Sequence, residues 1–384
     1  DSYLQEATPG GERYNEAEAE IARKVEEGAL IIDYIGHGGD RGWAHERILN
    51  TTTIREWTNK KRLPVFMTAT CELSRYDDPE VESAGEMIMF NPNGGAVGML
   101  TTTRTVFSGG NQELNTAFFK TVLDEDEGTG QLRCLGDICK DTKNSSDVTS
   151  VTNMRNFSLL GDPAMLLAYP THSVFVTEIP DTIKSLDLVK MSGFVGTSSG
   201  DTLHEFNGFV YPTVFDKRSQ ISTLDNDNVA GAFSYTMYRN VIHKGVASVL
   251  NGAFEFEFVV PRDIDYTYGA GRVSLYAVDG DVDAHGATED FVIGGTSENV
   301  DEDHLGPTVE LFMNDSLFVR GDITNEDPWL YARLFDESGI NTVGNGIGHD
   351  LKAVIDGKFE SPFILNTSFF DYLRYYYVWT TLKI

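Results

Sequence analysis

The sequence predicts an α/β fold, in which a parallel sheet carries helices on both faces, followed by two β-sandwich modules of the immunoglobulin type. Three observations carry the prediction. Residues 1–170 alternate helical apolar spacing with short continuous apolar runs, the signature of βαβ units around a buried parallel sheet. Beyond Tyr169-Pro170 the apolar residues recur at every second position, as in Glu255-Phe256-Glu257-Phe258-Val259-Val260 and Arg272-Val273-Ser274-Leu275-Tyr276-Ala277-Val278, a pattern that buries one face of a strand. The acidic run Glu298-Asn299-Val300-Asp301-Glu302-Asp303-His304 reads as a linker before a new β module at Pro307-Thr308-Val309-Glu310-Leu311-Phe312-Met313. The expected domains are 1–170, 171–304 and 305–384, the last expected to stop before its sheet is complete.

Each element of the first part has a local reason. Asn15 to Glu27 is expected to be a helix with Ile21, Ala22 and Val25 inward, and Leu30 to Ile35 the first strand. Thr51 to Asn59 reads as a helix with a Thr as its N-cap, and Pro64 to Ala69 as the second strand. A third helix covers about Ser83 to Phe90. Asn91-Pro92-Asn93-Gly94-Gly95 breaks the chain before a third buried strand, Ala96-Val97-Gly98-Met99-Leu100. Helices follow near Gln112 to Leu123 and Gln131 to Lys140. Three strands are few for so many helices, so more are expected from upstream of Asp1 or from another chain.

Composition narrows the function. Hydrophobic residues at 41% and aromatics at 11% describe a chain that buries a core rather than a disordered one. Thirty Lys and Arg against 59 Asp and Glu leave a net charge of −29, a field that repels phosphate backbones, so no nucleic-acid partner is expected. No apolar run approaches the ~20 residues of a spanning helix. The chain opens Asp1-Ser2-Tyr3 without Met or a leader and is expected to be a piece of something longer. Cys71, Cys134 and Cys139 cannot all pair within the chain; Cys134 and Cys139 are expected to be buried small hydrophobes. With no CxxC pair, no HExxH and no His cluster at ligand spacing, no metal centre or cofactor is expected.

The chemistry concentrates where strands end. The first strand runs into Gly36-His37-Gly38-Gly39-Asp40, and the second ends at Thr70-Cys71-Glu72. In an open parallel sheet, ligands bind beyond the carboxyl ends of the strands, and the interval between His37 and Cys71 suits one βαβ unit of ~30 residues or more. Adjacent strands lie ~4.8 Å apart, close enough for the two side chains to meet across a substrate. An imidazole beside a thiol can take its proton and later protonate a leaving amine, while the amide N–H groups of Gly38 and Cys71 can hold a developing oxyanion. Either residue alone reads more simply as an incidental strand-end His or a buried Cys.

Gly36-His37-Gly38-Gly39 followed by Thr68-Ala69-Thr70-Cys71-Glu72 resembles the gingipain-type cysteine peptidases, a family related in fold to the caspases. Ser74-Arg75-Tyr76-Asp77-Asp78-Pro79, Thr101-Thr102-Thr103-Arg104, Phe157-Ser158-Leu159-Leu160-Gly161-Asp162-Pro163-Ala164 and Asn341-Thr342-Val343-Gly344-Asn345-Gly346-Ile347-Gly348-His349-Asp350 are similar to the sortases of the bacterial type IX secretion system, over about residues 28 to 360. The resemblance implies a caspase/gingipain-like fold, Cys71 as nucleophile and His37 as general base and acid. It implies removal of a C-terminal sorting domain from secreted cargo and transfer of the acyl group to a lipopolysaccharide amine. It places the protein at the outer membrane or cell surface of a Gram-negative bacterium, beside other secretion-system components. The family also orients its histidine with an upstream acidic residue, and no matching segment precedes His37. An upstream N-terminal part of the same protein is therefore expected to be needed, and this piece is expected to be inactive without it.

Weaker signals surround the pair. Glu72, Arg75, Asp77 and Asp78 follow Cys71 and are candidates to line a substrate groove, although a charged loop is more often simply solvated. Thr102 and Arg104 leave the third strand at the same edge, where Arg104 is a candidate clamp for a ligand carboxylate. Asn345 to Asp350 reads as a Gly-rich turn. Gly196-Thr197-Ser198-Ser199-Gly200 matches a nucleophile elbow in letters, but no helical stripe follows. Asp279-Gly280-Asp281-Val282-Asp283, with Asp290 at the twelfth place, begins like a calcium loop but has Ala284 at the sixth, which leaves a structural calcium site in a sandwich as a minor expectation. The competing function is a surface adhesion or assembly module with a degenerate peptidase domain, for which the acidic charge and β modules would also serve.

Overall fold

A computed structural model describes residues 3–9, 11–124, 132–226, 231–297, 305–319, 321–336, 351–355, 357–359, 362–365, 369–370 and 377–383. The chain divides into two units, Asp1–Tyr169 with Ser222–Phe233, and Pro170–Ile221 with Ser234–Ile384. The expected linker at 298–304 and the motif at 341–350 lie outside the described residues.

The first unit is built on a four-stranded sheet, β1 (Ile31–Ile35), β2 (Val65–Ala69), β3 (Gly98–Thr102) and β4 (Phe157–Gly161), in that spatial order. β1, β2 and β3 are parallel, but β4 runs antiparallel to β3, so the expected parallel sheet is a mixed one. The extra strand was hidden because Phe157-Ser158-Leu159-Leu160-Gly161 is short, and a six-residue helix, Val151–Asn156, leads straight into it. Every residue of β2 and β3 is buried, which is why both read as continuous apolar runs.

Helices cover both faces, and strand alternation sorts the core. Val65, Met67 and Ala69 of β2 pack with Leu114 and Phe118 of α4 (Ser108–Thr121) and with Leu135 and Ile138 of α5 (Leu135–Asn144). Phe66, on the opposite face, packs with Val25 of α1 (Asn15–Glu27), Ile54 of α2 (Thr51–Glu56) and Ile88 of α3 (Ala84–Phe90). Fully buried side chains such as these each contribute roughly 1.5–3 kcal/mol relative to exposure. α2 is shorter than expected and its cap is Asn50, one residue before the expected Thr: the Asn50 side chain accepts the Thr52 and Thr53 N–H groups at 2.9 and 3.2 Å. Ser83 and Glu86 close the capping box that starts α3.

In the second unit the period-two pattern is realised as β5 (His172–Glu178), β6 (Leu188–Gly196), β7 (Gly208–Phe215), β8 (Val241–Lys244), β9 (Ala247–Leu250), β10 (Ala253–Val259), β11 (Arg272–Asp279) and β12 (Val282–Thr288). These strands form one ladder: β7 pairs β9, which leads through β10, β6, β5, β12 and β11 back to β7, with β8 on the same edge of β7 as β9; Thr182–Ser185, Val292–Thr296 and Gly269–Ala270 form a separate three-stranded sheet. Long β7 spans two short partners on one side and β11 on the other, and this lets the circuit close and removes edges. One core joins Val189, Phe256 and Val273 of the ladder with Ile293 of the three-stranded sheet. Farther along, Thr308–Met313, Trp329–Phe335, Tyr377–Lys383 and Phe369–Phe370 form an antiparallel sheet in that order.

Candidate active site

The site begins with register. Ile35 of β1 is the parallel partner of Ala69 of β2, and the Gly36 N–H donates to the Ala69 carbonyl at 3.2 Å. His37 and Cys71 each follow two residues after this pair, past the carboxyl ends of the two strands. His37 is exposed; its carbonyl accepts the Tyr34 hydroxyl at 2.7 Å and the Ala44 N–H at 2.8 Å, which hold the backbone at the strand end. Tyr34 stacks on Trp43 at 4.4 Å between ring centroids, and burial pushes its phenol up to about 12, so it remains a donor.

After His37 the chain folds back in three short strands, Gly38–Gly39, Gly42–Trp43 and Leu49–Asn50. Gly38 is the residue the packing cannot replace, since a Cβ there would lie 2.4 Å from Thr70 Oγ1 and 2.8 Å from the Gly42 carbonyl oxygen. Absence of a side chain at Gly38 brings the histidine loop against the residue preceding Cys71. Gly38 is opposite Trp43, next to the bonded pair His37 and Ala44, so strand alternation leaves the Gly38 N–H out of that ladder.

Cys71 is half-buried, packs against the α4 side of the core and lies with Sγ 3.6 Å from the Val106 carbonyl. Glu72 takes a left-handed φ of +53°, a strained turn for a non-glycine residue directly after the thiol. The other cysteines are also unpaired thiols: Cys134 Sγ donates to Asp137, and burial pushes the Cys139 thiol up.

Among the charged candidates, Arg104 grips Asp77 with both terminal nitrogens, one at 2.7 Å, and Arg75 pairs with Asp78 at 3.3 Å. The Arg104 guanidinium holds the Asp77 carboxyl below the usual range. The clamp expected of Arg104 is thus engaged by a carboxylate of the same chain. Thr102 is a correction: it is fully buried, and its hydroxyl donates to the Thr70 carbonyl, so it braces the cysteine strand instead of lining a groove. Glu72 is half-buried, with its N–H directed to the Arg104 carbonyl at 3.4 Å.

Two contributors were missed in the sequence. Asn111 is buried on α4 and donates to the Ala69 carbonyl at 2.9 Å, while its own oxygen accepts from buried Asn153 at 2.9 Å. The available signal was a polar residue in register with Leu114 and Phe118 on the apolar stripe. Thr70 was read only as part of a motif; among the described residues its buried hydroxyl beside Gly38 has no hydrogen-bond partner. The expected calcium loop is a β-hairpin turn whose carboxylates serve separate donors: Asp279 accepts the Asn207 N–H at 2.9 Å and Asp290 the Thr288 hydroxyl at 3.1 Å. No group of three ligating side chains that could hold a metal occurs among the described residues. Gly196 to Gly200 forms a turn, with Thr197 N–H donating to the Asp201 carbonyl.

The fold is an open α/β sheet with His37 and Cys71 just beyond the carboxyl ends of adjacent strands. Residues 1–168 match the family model described as peptidase family C25, so the first unit belongs to that gingipain-type family. Solved structures similar to the chain include dimeric latent PorU from Porphyromonas gingivalis, 30% identical with a TM-score of 0.41, covering 68% of this chain and 26% of that one. The Arg-specific cysteine proteinase gingipain R (RgpB) is 17% identical with a TM-score of 0.33, covering 72% and 55%. This chain spans about a quarter of the PorU chain and just over half of the gingipain chain. No match was found among curated proteins. No helix among the described residues is long and apolar enough to cross a membrane, which says nothing of a β-barrel.

Proposed function

We propose that the protein is a cysteine endopeptidase that works as a sortase, with Cys71 as nucleophile and His37 as general base and acid. The observation that supports this reading is the β1–β2 register, in which Ile35 pairs with Ala69, two residues before His37 and Cys71 in their strands. Cys71 Sγ adds to the scissile carbonyl as His37 takes the thiol proton; the Gly38 and Cys71 N–H groups receive the oxyanion. The C–N bond then breaks, His37 returns the proton to the leaving amine, and a thioester remains. An incoming amine displaces the thiol to form a new amide, whereas water would leave a carboxylate.

The cargo proposed is a secreted protein with a C-terminal sorting domain, the acceptor a lipopolysaccharide amine, and the location the Gram-negative cell surface with other secretion components. Support for this finer reading is the likeness of the sequence motifs to secretion-system sortases. An upstream part of the same protein is proposed to complete the orientation of His37. The test incubates the full-length protein, Cys71→Ala and His37→Ala with such a cargo and reads the new cargo C-terminus by mass spectrometry. The expected result is an amine-linked product lost by about 10³-fold or more in Cys71→Ala and ~10²-fold or more in His37→Ala. Unchanged processing in Cys71→Ala would overturn the reading in favour of a non-catalytic adhesion module, and a free carboxylate from the parent would reduce it to a hydrolase.

A further inference from the structure

An open cavity of about 760 Å³ lies against the fold-back after His37, and of its lining the catalytic reading uses only Gly38. It opens beside Gly38 and Gly39, and His45 on its wall has its ring centroid 5.8 Å from that of His37. Arg13, Arg41 and Arg47 all reach it, in a chain whose net charge is −29. Among the described residues, neither Arg41 nor Arg47 makes an ion pair, although Asp40 and Glu56 line the same cavity. Glu18, the third acid there, is drawn inward: one of its oxygens accepts the Asn50 amide at 2.6 Å and the Thr53 hydroxyl. The loop carrying Arg47 is built with two left-handed non-glycine residues, Ala44 at φ +59° and Arg47 at +58°, a strained arrangement in the cavity's lining.

Unpaired guanidiniums present planar donor forks that match a carboxylate or phosphate, and two of them at one cavity give a site whose complement is an anion. We propose that this cavity is a subsite for an anionic group, a carboxylate or a phosphate, carried by the ligand that reacts at His37 and Cys71, and that Arg41 and Arg47 hold it. The proposal rests on the catalytic reading for which ligand is meant, but its binding chemistry is independent of turnover.

The experiment therefore uses the full chain as Cys71→Ala, which binds without reacting, and measures three probes by calorimetry: inorganic phosphate, an end-capped Gly-Glu-Glu-Gly peptide, and its Gly-Gln-Gln-Gly counterpart. At least one anionic probe is expected to bind, to weaken roughly tenfold or more when Arg41→Gln and Arg47→Gln are added, and to weaken with salt, while the neutral peptide does not bind. Phosphate binding alone assigns the group to a phosphate-bearing ligand; peptide binding alone assigns it to an acidic residue of a protein ligand. Absence of binding by both anions, or equal binding by the double variant, overturns the proposal. Lys190→Gln, which lies in the second unit and pairs with Glu255, serves as a control for loss of a positive charge elsewhere and should leave binding unchanged. Thermal unfolding of the double variant confirms that it folds, and selective alkylation of Cys71 in the parent reports separately on the catalytic reading.

Discussion

Gly38 has a hydroxyl on one side and a carbonyl on the other, with no room for a methyl group between them. Gly38→Ala must push apart the histidine loop and the Thr70–Cys71 strand end, at a cost of about 1–3 kcal/mol. The expected outcome is a lower urea midpoint together with slower alkylation of Cys71 in the folded variant. A stable Gly38→Ala protein with parental thiol reactivity would show that the close approach does not set the site. At this scale the sequence was informative about chemistry and poor about surroundings. His37 and Cys71 stood out because few residue types can do proton transfer and nucleophilic attack. The roles of Thr102 and Arg104 did not, because whether a hydroxyl or guanidinium faces ligand or protein depends on partners distant in the chain, here Thr70 and Asp77.

Strands and helices supply the next layer. The Ala69 carbonyl, last in β2, is held from one side by Gly36 N–H and from the other by the Asn111 amide on α4, so a helix 40 residues downstream helps define where the cysteine strand stops. Replacing Asn111 with Leu keeps the volume but leaves the Asn153 amide with one fewer acceptor in a buried place. Asn111→Leu is expected to cost about 1–3 kcal/mol and to slow thiol alkylation, read by denaturant titration and by the rate with a neutral haloacetamide. Unchanged stability and rate would confine Asn111 to a passive role. Element positions were largely legible where periodicity is strong, as in Asn15 to Glu27, and where apolar runs are continuous, as in Val65 to Ala69. The direction of β4 was not, because an antiparallel edge strand of five residues carries no periodic signature of its own.

Across the whole chain the dominant property is charge. Fifty-nine acidic against 30 basic side chains make self-repulsion a destabilising term in both units, and salt screens it over a distance that shrinks as ionic strength rises. Raising sodium chloride from about 10 mM to about 300 mM is expected to raise the thermal midpoint by ~2–5 °C, followed by circular dichroism. A fall in midpoint would mean that attractive pairs such as Arg104 with Asp77 and Lys190 with Glu255 outweigh the net repulsion. Residue types and spacing were enough to establish an α/β part followed by β structure and the His-then-Cys order at consecutive strand ends. These depend on local period and on the chemistry of single side chains, both of which a linear string contains. Tertiary structure alone decided the antiparallel fourth strand, the ladder that closes through β7 and β11, the inward role of Thr102 and the gathering of Arg41 and Arg47 at one cavity. Those features are contacts between residues far apart in sequence, and their partners are chosen by how whole elements pack.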